Sequence, residues 1–387
     1  MTELPLPAAP DPSALGGYFL YHSIGQYPGK ARDLAQAMTT FAVHWAAPND
    51  AQWAYALTKR QDFIDRWRAI LHAAPGSVTT MENVTQGVHA TVTALPPGHL
   101  QGRTLLVAAD CFASNHFLLS GLAERLGYTL KTVPLRQGAD HVEDEDFLAH
   151  WTPDVGVALL TWVSSTTSHR IDLPAMVAHG RRMGSLIGVD ITQAAGLIPF
   201  DVNAPEVDFA VSTSLKWMCG TPGAGVLYVT PRLIPHLNPD LRGWFSQPNP
   251  FNWDITAFCQ APDIRRFDNG TPGVIAAVAS LPALAWHASQ APAALLAHNR
   301  LLTARLIEAA DALDLDVLTP RDPAKRGGSV MLRLPDPLPA AAVVATLRAQ
   351  NISTDHRGRI LRLSPGAITT ADGVENLIQA LTRIVTH

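Results

Sequence analysis

The chain has 387 residues and a formal net charge of −4, long enough for a large core and two domains. Its acidic balance argues against a nucleic-acid binder that works by phosphate neutralisation, since the basic residues form nothing longer than pairs such as Arg181-Arg182 and Arg265-Arg266. No apolar stretch reaches membrane-spanning length, and the opening Met1-Thr-Glu-Leu-Pro-Leu-Pro lacks the basic and apolar regions of a signal peptide. Cys111, Cys219 and Cys259 are isolated, with neither metal-ligand spacing nor a disulfide framework. A reduced, cytoplasmic protein without a metal centre is expected, with disorder confined to the first dozen residues.

Along the chain, short apolar runs alternate with amphipathic ones from about residue 77 to 230, the pattern of strands joined by crossover helices in a mostly parallel sheet. Helices are predicted over Thr85 to Leu95, Ser114 to Leu126 and Pro174 to Met183. Buried strands are predicted at Thr104 to Ala109, Val155 to Leu160, Leu186 to Val189, Phe209 to Ser212 and Gly225 to Val229. After the Pro- and Asn-rich stretch Gln247 to Trp253, a long apolar helix from about Gly273 to Ala288 can bridge two domains. The remainder reads as a compact α+β unit. Its helices are predicted near Asn299 to Leu313, Ala340 to Ala349 and Gly373 to Thr386, and its strands around Ser329 to Leu334 and Arg359 to Leu363. The expected division is an N-terminal segment over 1–40 that packs at the active site and the small domain, a large α/β domain over 41–272, and a linking helix with the small domain over 273–387.

Lys216 lies between two apolar strand-like runs. A lysine buried in apolar surroundings loses pKa, becomes a nucleophile and can hold an aldehyde as a Schiff base, as proteins hold pyridoxal 5'-phosphate (PLP). Asp190 ends the run Leu186-Ile-Gly-Val-Asp, where a carboxylate can keep the pyridine nitrogen of PLP protonated. In an open parallel sheet ligands bind beyond the carboxyl ends of the strands, so the two loops can converge on one ligand.

Thr85, Gln86 and Gly87 fall at a predicted helix start, where backbone N–H groups and small polar side chains suit a phosphate or serve as an ordinary cap. Phe112 follows a strand end and can stack on a ring or belong to the core. Gly243-Trp244-Phe245 and the run Phe267 to Pro272 sit in loops rich in Gly and Pro. Arg362, within a strand-like alternation, offers a guanidinium fork for a substrate α-carboxylate, with a surface ion pair as the alternative.

In order, these segments resemble the fold type I, class V group of PLP enzymes, and kynureninases most of all, from Tyr18-Phe-Leu-Tyr-His-Ser-Ile-Gly25 to Arg362. The resemblance implies a homodimer acting on an amino acid. It makes Lys216 the Schiff-base lysine, Asp190 the pyridine partner, Thr85 the phosphate ligand and Phe112 the stacking ring. It matches the family's Gly-Trp loop to Gly243-Trp244, and Thr271 to the residue that reaches the phosphate across the dimer interface. Arg362 becomes the α-carboxylate clamp. Gln86, Gln193 and Thr213 join the cofactor-binding candidates, and His22 is a candidate substrate contact, although a lone loop histidine more often faces solvent.

Four positions depart from the kynureninase pattern. Leu215 replaces the Tyr before the lysine, Asn115 replaces an acidic residue, Gln193 replaces a His, and the His after the Gly-Trp loop is absent near Gln247. The expected reaction is hydrolytic Cβ–Cγ cleavage of a kynurenine-type substrate. Transamination, β-elimination of the lyase or desulfurase kind, and a catalytically silent PLP-fold binding protein stay open beside it.

Overall fold

The computed structural model describes residues 17–291 and 293–386; the expected disorder of the first dozen residues lies outside them. Two helices in contact with each other, α1 (Lys30–Trp45) and α2 (Gln52–Ile70), lead into β1 (Val78–Met81), α3 (Val84–Ala94), β2 (Thr104–Ala108) and α4 (Ala113–Leu126). Then come β3 (Thr129–Val133), α5 (Asp144–His150), β4 (Val155–Thr161), α6 (Leu173–Met183), β5 (Leu186–Asp190), β6 (Phe209–Thr213) and β7 (Gly225–Val229). The chain closes with α7 (Ile275–Ser289), α8 (Ala294–Ala312), β8 (Asp316–Val317), β9 (Val330–Arg333), α9 (Ala340–Arg348), β10 (Asp355–Arg357), β11 (Ile360–Leu363) and α10 (Ala371–Thr386).

Seven strands form one sheet in the order β1-β7-β6-β5-β4-β2-β3. The block from β3 to β6 is parallel, whereas β7 runs antiparallel to both β6 and β1. Helices cover both faces, so the central strands are apolar on both sides and read as continuous runs. Successive residues still alternate between the two cores: Leu105 and Val107 pack with Val88 of α3 and Leu119 of α4, while Leu106 packs with Trp67 of α2 and Met176 of α6.

The smaller antiparallel sheet, in the order β10-β11-β9-β8, is backed by α8, α9 and α10 through Leu306, Leu347 and Leu377. Residues near the N-terminus join it: Tyr18 and Leu20 make parallel bridges to Ser353 and Ser364, and Phe19 is buried in its core. The helix α7 packs against α1 and α2 and leads directly into α8. It starts at Ile275 rather than Gly273. No helix among the described residues is long and apolar enough to cross a membrane.

Candidate active site

The parallel strands β5 and β6 deliver their carboxyl ends side by side, Asp190 opposite Val211. Beyond them lies a cavity of about 660 Å³ lined by Thr85, Phe112, Asp190, Gln193, Thr213 and Lys216. That volume is within the few hundred to 1,000 Å³ typical of small-molecule sites.

Lys216 stands on a loop fixed from several sides. The N–H of Ser214 donates to the Ala224 carbonyl at 2.9 Å, that of Cys219 to the Lys216 carbonyl at 2.8 Å, and that of Gly220 to the Ser214 carbonyl at 2.6 Å. The Trp67 indole donates to Ser214 Oγ at 3.0 Å, and the N–H of Gly25 reaches the Leu215 carbonyl at 3.0 Å. The lysine Nζ is 5.3 Å from the centroid of the Phe112 ring. Desolvation lowers its pKa to about 8; Asp190 works against that shift, and Arg362 and Arg357 add to it. An amine so placed is available as a nucleophile and base near neutral pH.

Asp190 is 5% exposed and doubly held. Asn115 Nδ2 donates to its Oδ2 at 3.1 Å and the Thr192 N–H to its Oδ1 at 3.0 Å. Thr192 also lines the cavity, and its buried hydroxyl has no hydrogen-bond partner among the described residues. Such an orphaned group at a cavity wall is suited to a ligand atom.

Thr85 sits in the first turn of α3, whose opening N–H groups have no intrahelical acceptor. Asn83 Oδ1 caps the Gln86 N–H at 2.9 Å, and the N–H groups of Val84 and Thr85 remain for an anion. The Gln86 side chain, grouped with them from sequence, accepts from the Glu82 N–H at 2.6 Å and faces a neighbouring hollow with Arg60 and Thr271. Gln193 lines the cavity while its amide ties two loops together, donating to the His22 carbonyl at 3.1 Å and accepting from the Trp217 indole at 3.3 Å. Thr213 Oγ1 accepts weakly from the Leu215 N–H at 3.4 Å.

His22 does not face solvent. It is 2% exposed, with Nδ1 at 2.6 Å from Ser364 Oγ and Nε2 at 3.0 Å from Asp355 Oδ2. Desolvation lowers its pKa against the opposing bond to Asp355, which favours a neutral imidazole. Arg362, expected as a carboxylate clamp with an ion pair as the alternative, gives Nε to Asp355 Oδ1 at 2.8 Å and Nη2 to Asp355 Oδ2 at 2.5 Å. Desolvation works to raise the Asp355 carboxyl, but the bonds from His22 and Arg362 outweigh it and hold the group below the usual carboxylate range. No sequence motif singles out Asp355. The signal for it was the short hairpin around Gly358, whose φ of 58° favours glycine and whose register sets Asp355 opposite Arg362.

Within one chain, Trp244 and Thr271 are not brought to this cavity. Trp244 stacks on Trp253 with centroids 5.7 Å apart, and Thr271 is exposed beside Gln86 and Arg60.

PLP fits the residues present. Lys216 can hold its aldehyde, Phe112 one ring face and Asp190 the pyridine nitrogen, and the start of α3 can hold the phosphate. The large α/β sheet with its smaller α+β domain is the fold type I arrangement. The protein is a PLP-dependent enzyme. It belongs to the aminotransferase class-V family, whose model matches residues 54–360.

The chain is 33% identical over 265 residues to a kynureninase of Deinococcus radiodurans, an alignment covering 67% of this chain and 62% of that protein. It is 26% identical over 381 residues to a kynureninase of Pseudomonas fluorescens, covering 94% and 88%. Among solved structures, the cystine C-S lyase C-DES bound to cysteine persulfide superposes with a TM-score of 0.85 at 21% identity, covering 96% of this chain and 97% of that one. The apo cysteine desulfurase of Thermococcus onnurineus NA1 gives 0.83 at 18% identity, covering 95% and 94%. At these identities the structural likeness speaks to the fold alone.

Proposed function

We propose that the protein is a kynureninase-like hydrolase, in which water adds to the γ-carbonyl of a kynurenine-type amino acid and the Cβ–Cγ bond breaks to give an aromatic acid and alanine. The sequence likeness to kynureninases over most of the chain carries this reading. Bound here, PLP supplies an electron sink for negative charge at the substrate α-carbon. Lys216, its pKa lowered to about 8, takes up and returns the Cα proton. Asp190, oriented by Asn115 and the Thr192 N–H, keeps the pyridine nitrogen protonated. Arg362, steadied by Asp355, receives the α-carboxylate, and the buried His22 supports Asp355 from the other side. A homodimer in which Trp244 and Thr271 complete the partner's site accords with their position outside the cavity of their own chain.

A second reading, transamination or β-elimination, is favoured by Leu215, which lacks the hydroxyl that kynureninases place before the lysine. It uses the same Lys216 and Asp190 and needs no hydrated ketone. A desulfurase of the persulfide-carrying kind is disfavoured because none of the three cysteines lies beyond residue 272. Incubating the PLP-loaded enzyme with kynurenine and assaying anthranilate and alanine tests the proposal. Absence of both, with pyruvate or a keto acid formed from another amino acid, replaces it by the second reading. A bound-cofactor spectrum that no amino acid perturbs points to a silent binding protein.

A further inference from the structure

Two guanidinium groups act on Lys216, those of Arg362 and Arg357, and they are differently engaged. Arg362 shares its Nε and Nη2 with Asp355, so the pair is close to neutral as a unit. A substrate carboxylate approaching that pair meets an anion already seated in the fork, and gains correspondingly little Coulomb attraction. Arg357 stands on the same hairpin, at the exposed rim. Its Nη1 donates to Ser165 Oγ at 3.2 Å, and Ser165 lines the cavity that holds Lys216. No carboxylate among the described residues lies within 4.0 Å of Arg357. With Arg359 paired to Asp336, the positive charge left over on this hairpin, next to the cavity residue Ser165, is that of Arg357.

We propose that Arg357, seated by Ser165, is a substrate-contacting residue that takes the α-carboxylate together with the Nη1 side of Arg362, and that Asp355 is the strut that aims Arg362. This rests on the amino-acid substrate assigned above and extends it, because it makes carboxylate recognition a two-arginine property in which the uncompensated charge comes from Arg357. Planar guanidinium groups suit such a role, since each can present two parallel N–H donors to one carboxylate.

The test is an equilibrium titration of the PLP-loaded enzyme with L-alanine and with ethylamine, its carboxylate-free counterpart, followed by the change in cofactor absorbance. The wild type binds alanine in preference to ethylamine. Arg357→Gln reduces that preference roughly tenfold or more, the loss expected for charge-assisted hydrogen bonds, while Arg357→Lys keeps a substantial part of it and ethylamine binding hardly changes. The proposal is overturned if Arg357→Gln leaves the preference within twofold of wild type while Arg362→Gln abolishes it. The titration involves no turnover. Failure of the enzyme to hydrolyse kynurenine, with the alanine preference intact and sensitive to Arg357, removes the kynureninase reading and leaves the two-arginine site standing.

Discussion

Gly25 lies against the backbone carbonyl of Lys216 so closely that a Cβ at position 25 would collide with that oxygen and crowd Cys219 Sγ at 2.9 Å. The N-terminal turn and the lysine loop are thus packed backbone to backbone, joined by the Gly25 N–H bond to the Leu215 carbonyl. Lys30 adds to the join, its Nζ donating to the Gly25 carbonyl at 2.7 Å. Gly25→Ala forces the two loops apart. Overpacking of this kind costs about 1–3 kcal/mol, so the variant is expected to melt lower and to retain less PLP after dialysis. Unchanged melting and cofactor content would remove the loop–loop contact from the account of how Lys216 is positioned.

The amine of Lys216 gives a pH signature in the apo protein. Unfolded, it keeps its proton to the ordinary value of 10.5; folded, it loses it at about 8. Between those values the unfolded state binds more protons, so this group makes stability rise with pH, and below about 8 it costs stability because the buried amine must be charged. Denaturant titrations of apo wild type and Lys216→Met across this range are expected to diverge, with only the wild type carrying the extra slope. PLP uptake by the apo wild type should follow the same ionisation and be half-maximal near pH 8. Asp190→Asn removes the charge that raises this pKa and is expected to move the midpoint lower.

The strand-and-lysine plan was legible because its signals are local. Leu186 to Asp190 and Gly225 to Val229 are continuous apolar runs, and a sheet buried on both faces requires them. The misses have physical causes. The short strand β1 carries two threonines among its four residues, and the edge strand β3 exposes Thr129 and carries Lys131 at intermediate burial, so neither shows an apolar run. The antiparallel course of β7 leaves no mark on composition. At the site, Lys216, Asp190, Phe112 and Thr85 stand out as candidates because each follows or precedes a readable element, and the structure sets all four around one cavity. Asp355 does not stand out, since its meaning depends on hairpin register, and the burial of His22 depends on contacts with Asp355 and Ser364 more than 330 residues away in sequence.

Arg60 of α2 reaches across to Asp268, with Nη2 at 2.7 Å from Oδ1, and Thr79 Oγ1 donates to the same carboxylate oxygen at 2.7 Å. Both charged side chains are nearly buried, at 10% and 5% exposure. They tie β1 and α2 to the segment that leads to Thr271. Asp268→Ala leaves the guanidinium buried without its counter-charge, a change that costs about 3–5 kcal/mol. A loss of that size in chemical denaturation is expected, with Asp268→Asn intermediate because it can still accept the Thr79 and Arg60 hydrogen bonds. A change below about 1 kcal/mol would mean that water reaches the pair.

Asn115 distinguishes this chain from the kynureninase pattern, and its contact with Asp190 gives the difference a consequence. Its Nδ2 donates to Asp190 Oδ2, so the amide supports the ionised carboxylate, whereas an acidic side chain would place a second negative charge beside it. Two neighbouring carboxylates cannot both ionise freely, and one of them takes a raised pKa. Asn115→Asp is therefore expected to make PLP retention pH-dependent in the range where the pair shares a proton. Asn115→Ala instead leaves Asp190 with the Thr192 N–H alone and weakens cofactor binding by roughly tenfold, the scale of one charge-assisted hydrogen bond. Dissociation constants for PLP from fluorescence titration of the apo variants, taken at several pH values, separate the two effects. If Asn115→Ala binds PLP as tightly as the wild type, orientation of Asp190 falls to the Thr192 N–H, and Asn115 serves only the packing of α4 against the sheet.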